Sequence, residues 1–196
     1  MSATRLLVLG VLRISGRAHG YQVRRELLGW RADKWANVQP GSIYHALKKM
    51  AAEQLLEEVS TEAGRGPDRT AYQLTTEGEQ EFFHLLSGAL SDADDAGPLL
   101  SAGIALMPML PRRRAIELLK LMEVRLDGAI AEILQTAVHA HEWGHPPHVV
   151  RMYRLWGGQT ETTRAWVHDL VAALEAGEYR MADDDPPTFP VPGNHV

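Results

Sequence analysis

The spacing of apolar side chains predicts two helices in the first 30 residues. Residues 4–15 are apolar nearly all round, which is typical of a short and fully buried helix. Residues 17–20 favour a turn. Residues 20–30 then place Val23 and Leu27 on one face of a second helix, with charged side chains largely off that face.

A third helix is predicted to begin at Gln39 and Pro40, because proline is tolerated at the first helical position. Ile43, Leu47 and Met50 follow at helical spacing and form its apolar stripe. The opposite face holds no acidic residue, and it consists of Tyr44, His45, Lys48, Lys49 and Ala52, with Ser42 at its edge.

Two short segments rich in Val, Thr and Tyr, residues 56–61 and 69–75, predict strands. Residues 62–68 join them and contain two glycines and a proline, which favours a hairpin tip. Three helices followed by a β-hairpin is the order of a winged helix-turn-helix. The predicted fold class is therefore mainly α with a small β-hairpin.

The rest of the chain predicts helices alone. Thr76 is expected to cap a long helix, with Glu79 as its capping-box partner. The helices expected next are 99–107, one from Pro111, and 149–176, with a connection over 139–147. We predict a winged helix-turn-helix domain with a linker helix at 1–92, a helical dimerisation and effector domain at 96–180, and a disordered, acidic, Pro-rich tail at 181–196.

Charge is distributed unevenly along the chain. The net charge is −5, yet residues 1–75 hold 11 Lys and Arg against 7 Asp and Glu, whereas residues 76–196 hold 9 against 18. This asymmetry indicates a basic segment with an anionic partner of its own, although chance unevenness would look the same.

The chain has no cysteine, which excludes disulfides and thiolate zinc sites and suits a reducing compartment. No segment reads as a secretory signal. The apolar run 98–110 is too short to cross a bilayer and is broken by Pro108. We expect a soluble, cytoplasmic protein without a membrane partner.

A recognition helix needs hydrogen-bond donors and cations opposite its apolar stripe, and the third helix supplies Tyr44, His45, Lys48 and Lys49. An ordinary amphipathic helix with a solvated basic face would show the same pattern. The hairpin tip adds Arg65 and Arg69, as a DNA-contacting wing would, although a plain surface hairpin is the alternative.

Three segments together resemble the PadR family of transcriptional regulators. They are Gly20-Tyr21-Gln22-Val23, then Pro40-Gly41-Ser42-Ile43-Tyr44 with Leu47, and the run from Arg69 to Gly78. The resemblance implies a dimeric winged helix-turn-helix that binds palindromic operator DNA, usually as a repressor. It also implies that Tyr44 lies near the DNA backbone and that Lys48 and Lys49 are basic contact positions. The chain departs from the family at Gln39, where a smaller polar cap is usual, and at Thr70-Ala71, where the family is more basic.

Residues 96–180 resemble the helical C-terminal domain of the larger PadR subgroup, in which this domain dimerises and small aromatic effectors bind between the domains. Trp143, Trp156 and Trp166 could line such a pocket by stacking. The alternative is that these rings serve core and dimer packing.

One motif supports a different class of function. His141-Glu142-Trp143-Gly144-His145 matches HExxH, in which two histidines one helical turn apart bind zinc for hydrolysis. Gly144 and the two prolines that follow oppose the necessary helix. Metal binding by the four histidines His139, His141, His145 and His148, or a polar linker without a ligand, are the other interpretations.

No P-loop, dinucleotide-binding or nucleophile-elbow motif occurs. We therefore expect no enzyme, no cofactor and no catalytic metal. The expected function is a homodimeric, sequence-specific repressor released by a small effector. It would be held together by the C-terminal helices and the helix containing Phe82 to Leu90, with recognition helices about 34 Å apart. The alternative is an effector- or metal-binding regulator that acts through protein contacts.

Overall fold

The most deeply buried element is the first helix, α1, which spans Ala3–Ser15 in the computed structural model. The apolar side chains from Leu6 to Leu12 are at most 1% exposed. Helix α1 contacts the strands of the sheet and four other helices, Gly20–Gly29, Pro40–Ala52, Thr76–Ala89 and Pro98–Leu106. The prediction of a helix buried all round is confirmed, and its apolar circumference is explained by neighbours on every side.

The structure describes residues 2–59, 70–93 and 97–189. Within these residues, strands β1 to β3 are Arg17–His19, Leu56–Val59 and Ala71–Leu74. Helices α2 to α8 are Gly20–Gly29, Ala32–Trp35, Pro40–Ala52, Thr76–Ala89, Pro98–Leu106, Arg112–His139 and Pro147–Glu175, with a 3-10 helix at Met107–Met109. The fold is a winged helix-turn-helix followed by helices, as the sequence predicts.

The sheet contains one strand more than predicted. Its order is β1-β3-β2, and both pairs are antiparallel. The predicted hairpin is confirmed by the pairing of β2 with β3. The predicted turn at 17–20 is wrong, because Arg17–His19 forms the edge strand β1 with Ala18 opposite Tyr72.

Two local features of the helices also differ from the prediction. The four-residue helix α3 was not predicted, and it follows Arg31, whose backbone is left-handed with φ +57°. Thr75, rather than Thr76, caps α5, because the Thr75 side chain accepts a hydrogen bond from the Gly78 N–H at 3.0 Å.

The helices after α5 continue the core of the N-terminal region. Gly10 of α1 faces Leu106 of α6 so closely that a Cβ there would lie 2.6 Å from a Leu106 methyl group. Helices α7 and α8 form an antiparallel hairpin, closed by ion pairs between Arg164 and Asp127 at 3.0 Å and between Lys120 and Glu175 at 2.6 Å. The division into domains near residues 92–96 stays a prediction. No described helix is long and apolar enough to cross a membrane.

The segment after α8 is held against the start of α7. The Arg112 guanidinium donates to the carbonyl oxygens of Leu174 and Tyr179, at 3.0 and 2.7 Å, and to Asp184 Oδ2 at 2.6 Å. Met181 is fully buried. The predicted disordered tail is therefore wrong for residues 181–189, because Arg112 and the core give this segment fixed partners, and residues 190–196 lie outside the described residues.

We expect acidification to weaken this attachment. The Met181 N–H first, and then the charge and hydrogen bond of Arg112, hold the pKa of Asp184 below its ordinary value of 3.8, although desolvation acts in the opposite direction. Because the folded pKa is the lower one, the stabilisation is complete above the ordinary value and is lost as pH falls through the folded value.

Urea unfolding of the parent and Asp184→Asn between pH 3 and 7 measures this effect. The variant should be less stable at pH 7, and the difference should shrink at the acidic end. The control is Asp185→Asn, since the Asp185 side chain has no hydrogen bond in the described chain. A destabilisation by Asp184→Asn that is independent of pH would contradict the assignment.

Candidate nucleic-acid interface

Helix α4 has one buried face and one exposed face. Ile43, Leu47 and Met50 are at most 1% exposed and pack in the core. The opposite side of the helix is open to solvent, and it carries the exposed side chains Tyr44, His45, Lys48 and Lys49. The structure therefore brings these four predicted residues together on a single surface, which we call the α4 face.

Ser42 belongs to the start of the helix rather than to its open face. Its hydroxyl donates to the Gln39 carbonyl oxygen at 2.7 Å and accepts from the Gln39 N–H at 3.2 Å. Gln39 has the extended backbone of an N-cap, and Pro40 takes the first helical position. Ser42 thus stabilises the helix start, and its single donor is already used there.

The two lysines of the α4 face remain available to a ligand. In the described chain Lys48 has no ion pair. Lys49 Nζ lies 4.0 Å from Glu53 Oε1, at the outer limit of such contacts, while the other oxygen of Glu53 is 2.5 Å from an Arg5 nitrogen. Because Arg5 holds the Glu53 carboxylate, that carboxylate neutralises Lys49 only weakly.

Tyr44 is seated on the first turn of α2. A Cβ at Gly20 would lie 2.8 Å from Tyr44 Cε1 and 3.3 Å from a Leu47 methyl group, so only glycine leaves room for the ring. Since Tyr44 is itself 41% exposed, its ring lies over α2 and still faces solvent. This contact fixes the position of the phenol relative to Lys48 and Lys49, which lie four and five residues further along α4.

A groove of about 560 Å³ lies beside Tyr44, and its wall is made by His19, Gly20, Tyr21, Tyr44, Thr70 and Tyr72. The His19 ring stacks on Tyr21 with centroids 5.6 Å apart, and its Nδ1 is 3.3 Å from the Thr70 carbonyl oxygen. His19, Tyr21 and Tyr72 are not among the site residues that the sequence predicts. The Gly20-Tyr21 pair belongs to the motifs that the sequence shows, but its place in the groove depends on contacts with Tyr44 and Tyr72, which are distant in the sequence.

The hydroxyl of Tyr72 is a donor over the whole physiological pH range. Burial in the first place, and the negative charge of Glu58 in the second, raise the pKa of Tyr72 above its ordinary value. The groove and the α4 face together offer phenols, imidazoles and ammonium groups. Such a surface is chemically suited to the oxygens of a polyanion. Arg65 and Arg69, the predicted wing contacts, lie outside the described residues.

The three predicted effector residues lie apart on the α7–α8 hairpin. Trp143, Trp156 and Trp166 are 59%, 43% and 46% exposed. Trp143 and Trp156 are linked through the rings of His145 and Tyr153 at the tip of the hairpin. Trp166 is ten residues beyond Trp156 on α8, roughly 15 Å along its axis, so the single chain does not gather all three into one pocket.

The HExxH segment does not have the geometry of a zinc hydrolase. Residues 140–144 form turns, Gly144 has φ +75°, and the His145 N–H donates to the Ala140 carbonyl oxygen at 2.9 Å. His141 and His145 therefore do not lie one turn apart on a helix, as the motif requires. Across the described residues, no group of three His, Asp or Glu side chains is placed to hold a metal ion.

Comparison with known proteins gives one family match. Residues 8–83 match the transcriptional regulator PadR-like family. This range contains α1 from Val8 onward, the sheet, the α4 face and the first eight residues of α5. No curated protein shows a significant match to the chain.

Several solved structures resemble the chain at low identity. Bacillus subtilis PadR in complex with operator DNA is 17% identical, with 89% of this chain and 98% of that chain covered and a TM-score of 0.42. The same protein in complex with p-coumaric acid is 17% identical, with 88% and 99% covered and a TM-score of 0.38. The PadR-like transcriptional regulator BC1756 from Bacillus cereus is 16% identical, with 89% and 99% covered and a TM-score of 0.37.

The match over residues 8–83 contains every described residue of the α4 face and its groove, and the order of the elements is that of a winged helix. Over residues 8–83 the chain is therefore similar to the PadR-like family of transcriptional regulators.

Proposed function

We propose that this chain is a homodimeric regulator that binds duplex DNA by inserting α4 into the major groove. The observation that supports this proposal most directly is the α4 face. On it, Lys48 and Lys49 have no strong ion pair in the described chain and lie beside the exposed Tyr44 and His45. An α-helix fits the major groove of B-DNA, and lysines at its rim bind phosphates. The match to a family of transcriptional regulators supports the same function.

The hairpin of α7 and α8 supports dimerisation. Its apolar residues that face away from the chain's own core are strongly exposed, and they are Leu121, Val124, Leu134, Val138 and Leu155. On α7 Leu121 and Val124 lie three residues apart and Leu134 and Val138 lie four residues apart, so the members of each pair share one face of the helix. Exposed apolar side chains grouped in this way are typical of a protein–protein contact, and a second copy of the chain would cover them.

The predicted contribution of α5 to the dimer is not supported. Phe82, Leu86 and Leu90 of that region are fully buried within the single chain. They therefore have no surface left for a partner, and α7 and α8 are the better candidates.

We further propose that the DNA-bound dimer represses transcription and that a small effector releases it. Selection of bound sequences from a random duplex library identifies the DNA sequence that the protein prefers, and we expect a palindrome. In vitro transcription from a promoter that carries this sequence then shows whether the protein represses or activates transcription. Failure to enrich any sequence would contradict the DNA-binding proposal.

Lys48→Ala should weaken binding to all duplexes alike. Removing one phosphate contact lowers the slope of log K against log salt by about 0.9 per site. Fluorescence anisotropy on the selected duplex between 50 and 200 mM salt measures both quantities. Arg113→Ala at the exposed start of α7 is the control, and it should leave the slope unchanged. An unaltered slope and affinity in Lys48→Ala would remove Lys48 from the interface.

Gly20→Ala should reduce DNA affinity while the fold persists. The new methyl group must displace the exposed Tyr44 ring, which can move outward, and a misplaced phenol should cost on the order of tenfold in Kd, about 1.4 kcal/mol. Gly29→Ala at the other end of α2 is the control, because a Cβ there meets nothing within 4 Å. Equal affinities of the two variants would show that the seat of Tyr44 is irrelevant to binding.

Val138→Glu should convert the dimer to a monomer. Val138 is 74% exposed in the single chain, so the carboxylate costs little there, but an unpaired charge in the dimer contact is expensive. Sedimentation velocity at micromolar concentration distinguishes the states. Gln80→Glu, an exposed position on α5, provides the control and should remain dimeric. A parent protein that is already monomeric under these conditions would overturn the dimer proposal.

A further inference from the structure

A second groove, of about 380 Å³, lies at the tip of the α7–α8 hairpin, at the opposite end of the hairpin from the tail. Its wall consists of His141, His145, Pro147, Val150, Arg151 and Arg154. These residues come from the turn after α7 and from the first two turns of α8. The wall contains two guanidinium groups and two imidazoles, and it contains no carboxylate.

The two arginines are unlike the other arginines of the hairpin. Arg112 and Arg164 each bind a carboxylate, and Arg125 donates to the Ser91 carbonyl oxygen at 2.8 Å. In the part of the chain that the structure describes, neither Arg151 nor Arg154 has an ion pair or a side-chain hydrogen bond. Residues three apart on a helix are neighbours, so the two like charges repel each other until an anion lies between them.

The nearest carboxylate in the sequence is already engaged. Glu142 Oε2 lies 3.0 Å from His139 Nδ1, on the side of the turn that leads back into α7. Glu142 is not part of the groove wall. The positive charge of the groove is therefore not neutralised from within the tip.

The imidazole of His145 is oriented by a neighbour in the same tip. Its Nδ1 lies 3.2 Å from the Tyr153 hydroxyl. When that hydroxyl donates to Nδ1, the proton of the neutral ring is on Nε2, which is then a donor for an anion. The His145 backbone is fixed as well, because its N–H closes the turn onto the Ala140 carbonyl oxygen.

The geometry points to a binding site for a small oxyanion, a carboxylate or a phosphate, between Arg151, Arg154 and the His145 ring. The planar fork of a guanidinium matches the paired oxygens of both groups. Aromatic rings border the site, and of these Trp143 and Trp156 are exposed. The Trp143 and His145 centroids are 6.3 Å apart and the Tyr153 and Trp156 centroids are 5.7 Å apart. The site is distinct from the α4 face and does not depend on DNA binding.

NMR titration of the full chain tests the site. The probes are inorganic phosphate and benzoate, each added at constant ionic strength, and the signals are the Nε–H groups of Arg151 and Arg154 and the indole N–H of Trp143. We expect saturable shifts that are largest at these groups. Saturation by phosphate alone or by benzoate alone identifies which oxyanion the site takes, and linear shifts or shifts spread over the surface would overturn the proposal.

A pair of double variants separates a site from general charge. Arg151→Gln with Arg154→Gln should reduce the affinity at least tenfold. Arg113→Gln with Arg114→Gln removes the same charge from two exposed positions on α7 that pair with Glu117, and it should bind like the parent. Equal losses in both variants would show only non-specific attraction. DNA binding is measured in a separate experiment. A chain that binds no oxyanion can therefore still bind DNA, and a chain that binds no DNA can still bind the oxyanion.

Discussion

The burial of α1 is the constraint on which the other elements depend. Its apolar residues from Leu6 to Leu12 are covered on all sides by α2, α4, α5, α6 and the sheet. Each fully buried leucine stabilises the fold by roughly 1.5–3 kcal/mol relative to exposure. Because α4 packs on one side of α1 and α6 on another, the position of the α4 face and the attachment of the C-terminal helices are set by the same helix.

The arginines at the margin of the core have close carboxylate partners, whereas the lysines of the α4 face do not. Arg13 is held by Glu79 at 2.8 Å and lies over the Phe82 and Phe83 rings, and Arg5 is shared between Glu53 and Glu81. These arginines lie at the margin of the core, where an unpaired charge is costly. The lysines of the α4 face have no comparable partners. Their charge is left for something outside the chain, which is the physical basis for assigning the face to a polyanion.

What could be predicted from the sequence was the part that local patterns determine. The apolar stripe of Ile43, Leu47 and Met50 fixed which side of α4 is open, and the two β-rich segments gave the pairing of β2 with β3. The strand Arg17–His19 was missed because its partner lies more than 50 residues away, at Ala71–Leu74, and three residues carry too little periodicity to show a strand.

The remaining errors have the same origin in distant or subtle contacts. The Gly20-Tyr21 pair marks this segment in the sequence, but nothing local to it shows that Tyr44 will rest on Gly20, so the groove beside Tyr44 could not be foreseen. The acidic, Pro-rich composition of residues 181–189 favours disorder, yet Arg112 at the start of α7 binds Asp184 and two carbonyl oxygens. The three tryptophans were grouped by residue type, whereas their separation is set by the length of α8.

The uneven charge of the chain bears on how two copies could associate. Residues 76–196 carry 18 acidic against 9 basic residues, but the excess lies outside the α7–α8 hairpin, because residues 112–175 hold eight of each. On the hairpin, Asp127 is paired with Arg164, and Glu123 lies 2.9 Å from His168 within the same chain. The exposed Val124 between these two acids is apolar. Repulsion from more distant acids is screened over about 8 Å at physiological salt. Association through the exposed apolar residues of α7 therefore buries apolar surface while the acidic side chains stay solvated. The acidity of the segments outside the hairpin leaves the basic α4 face as the favourable approach for a duplex.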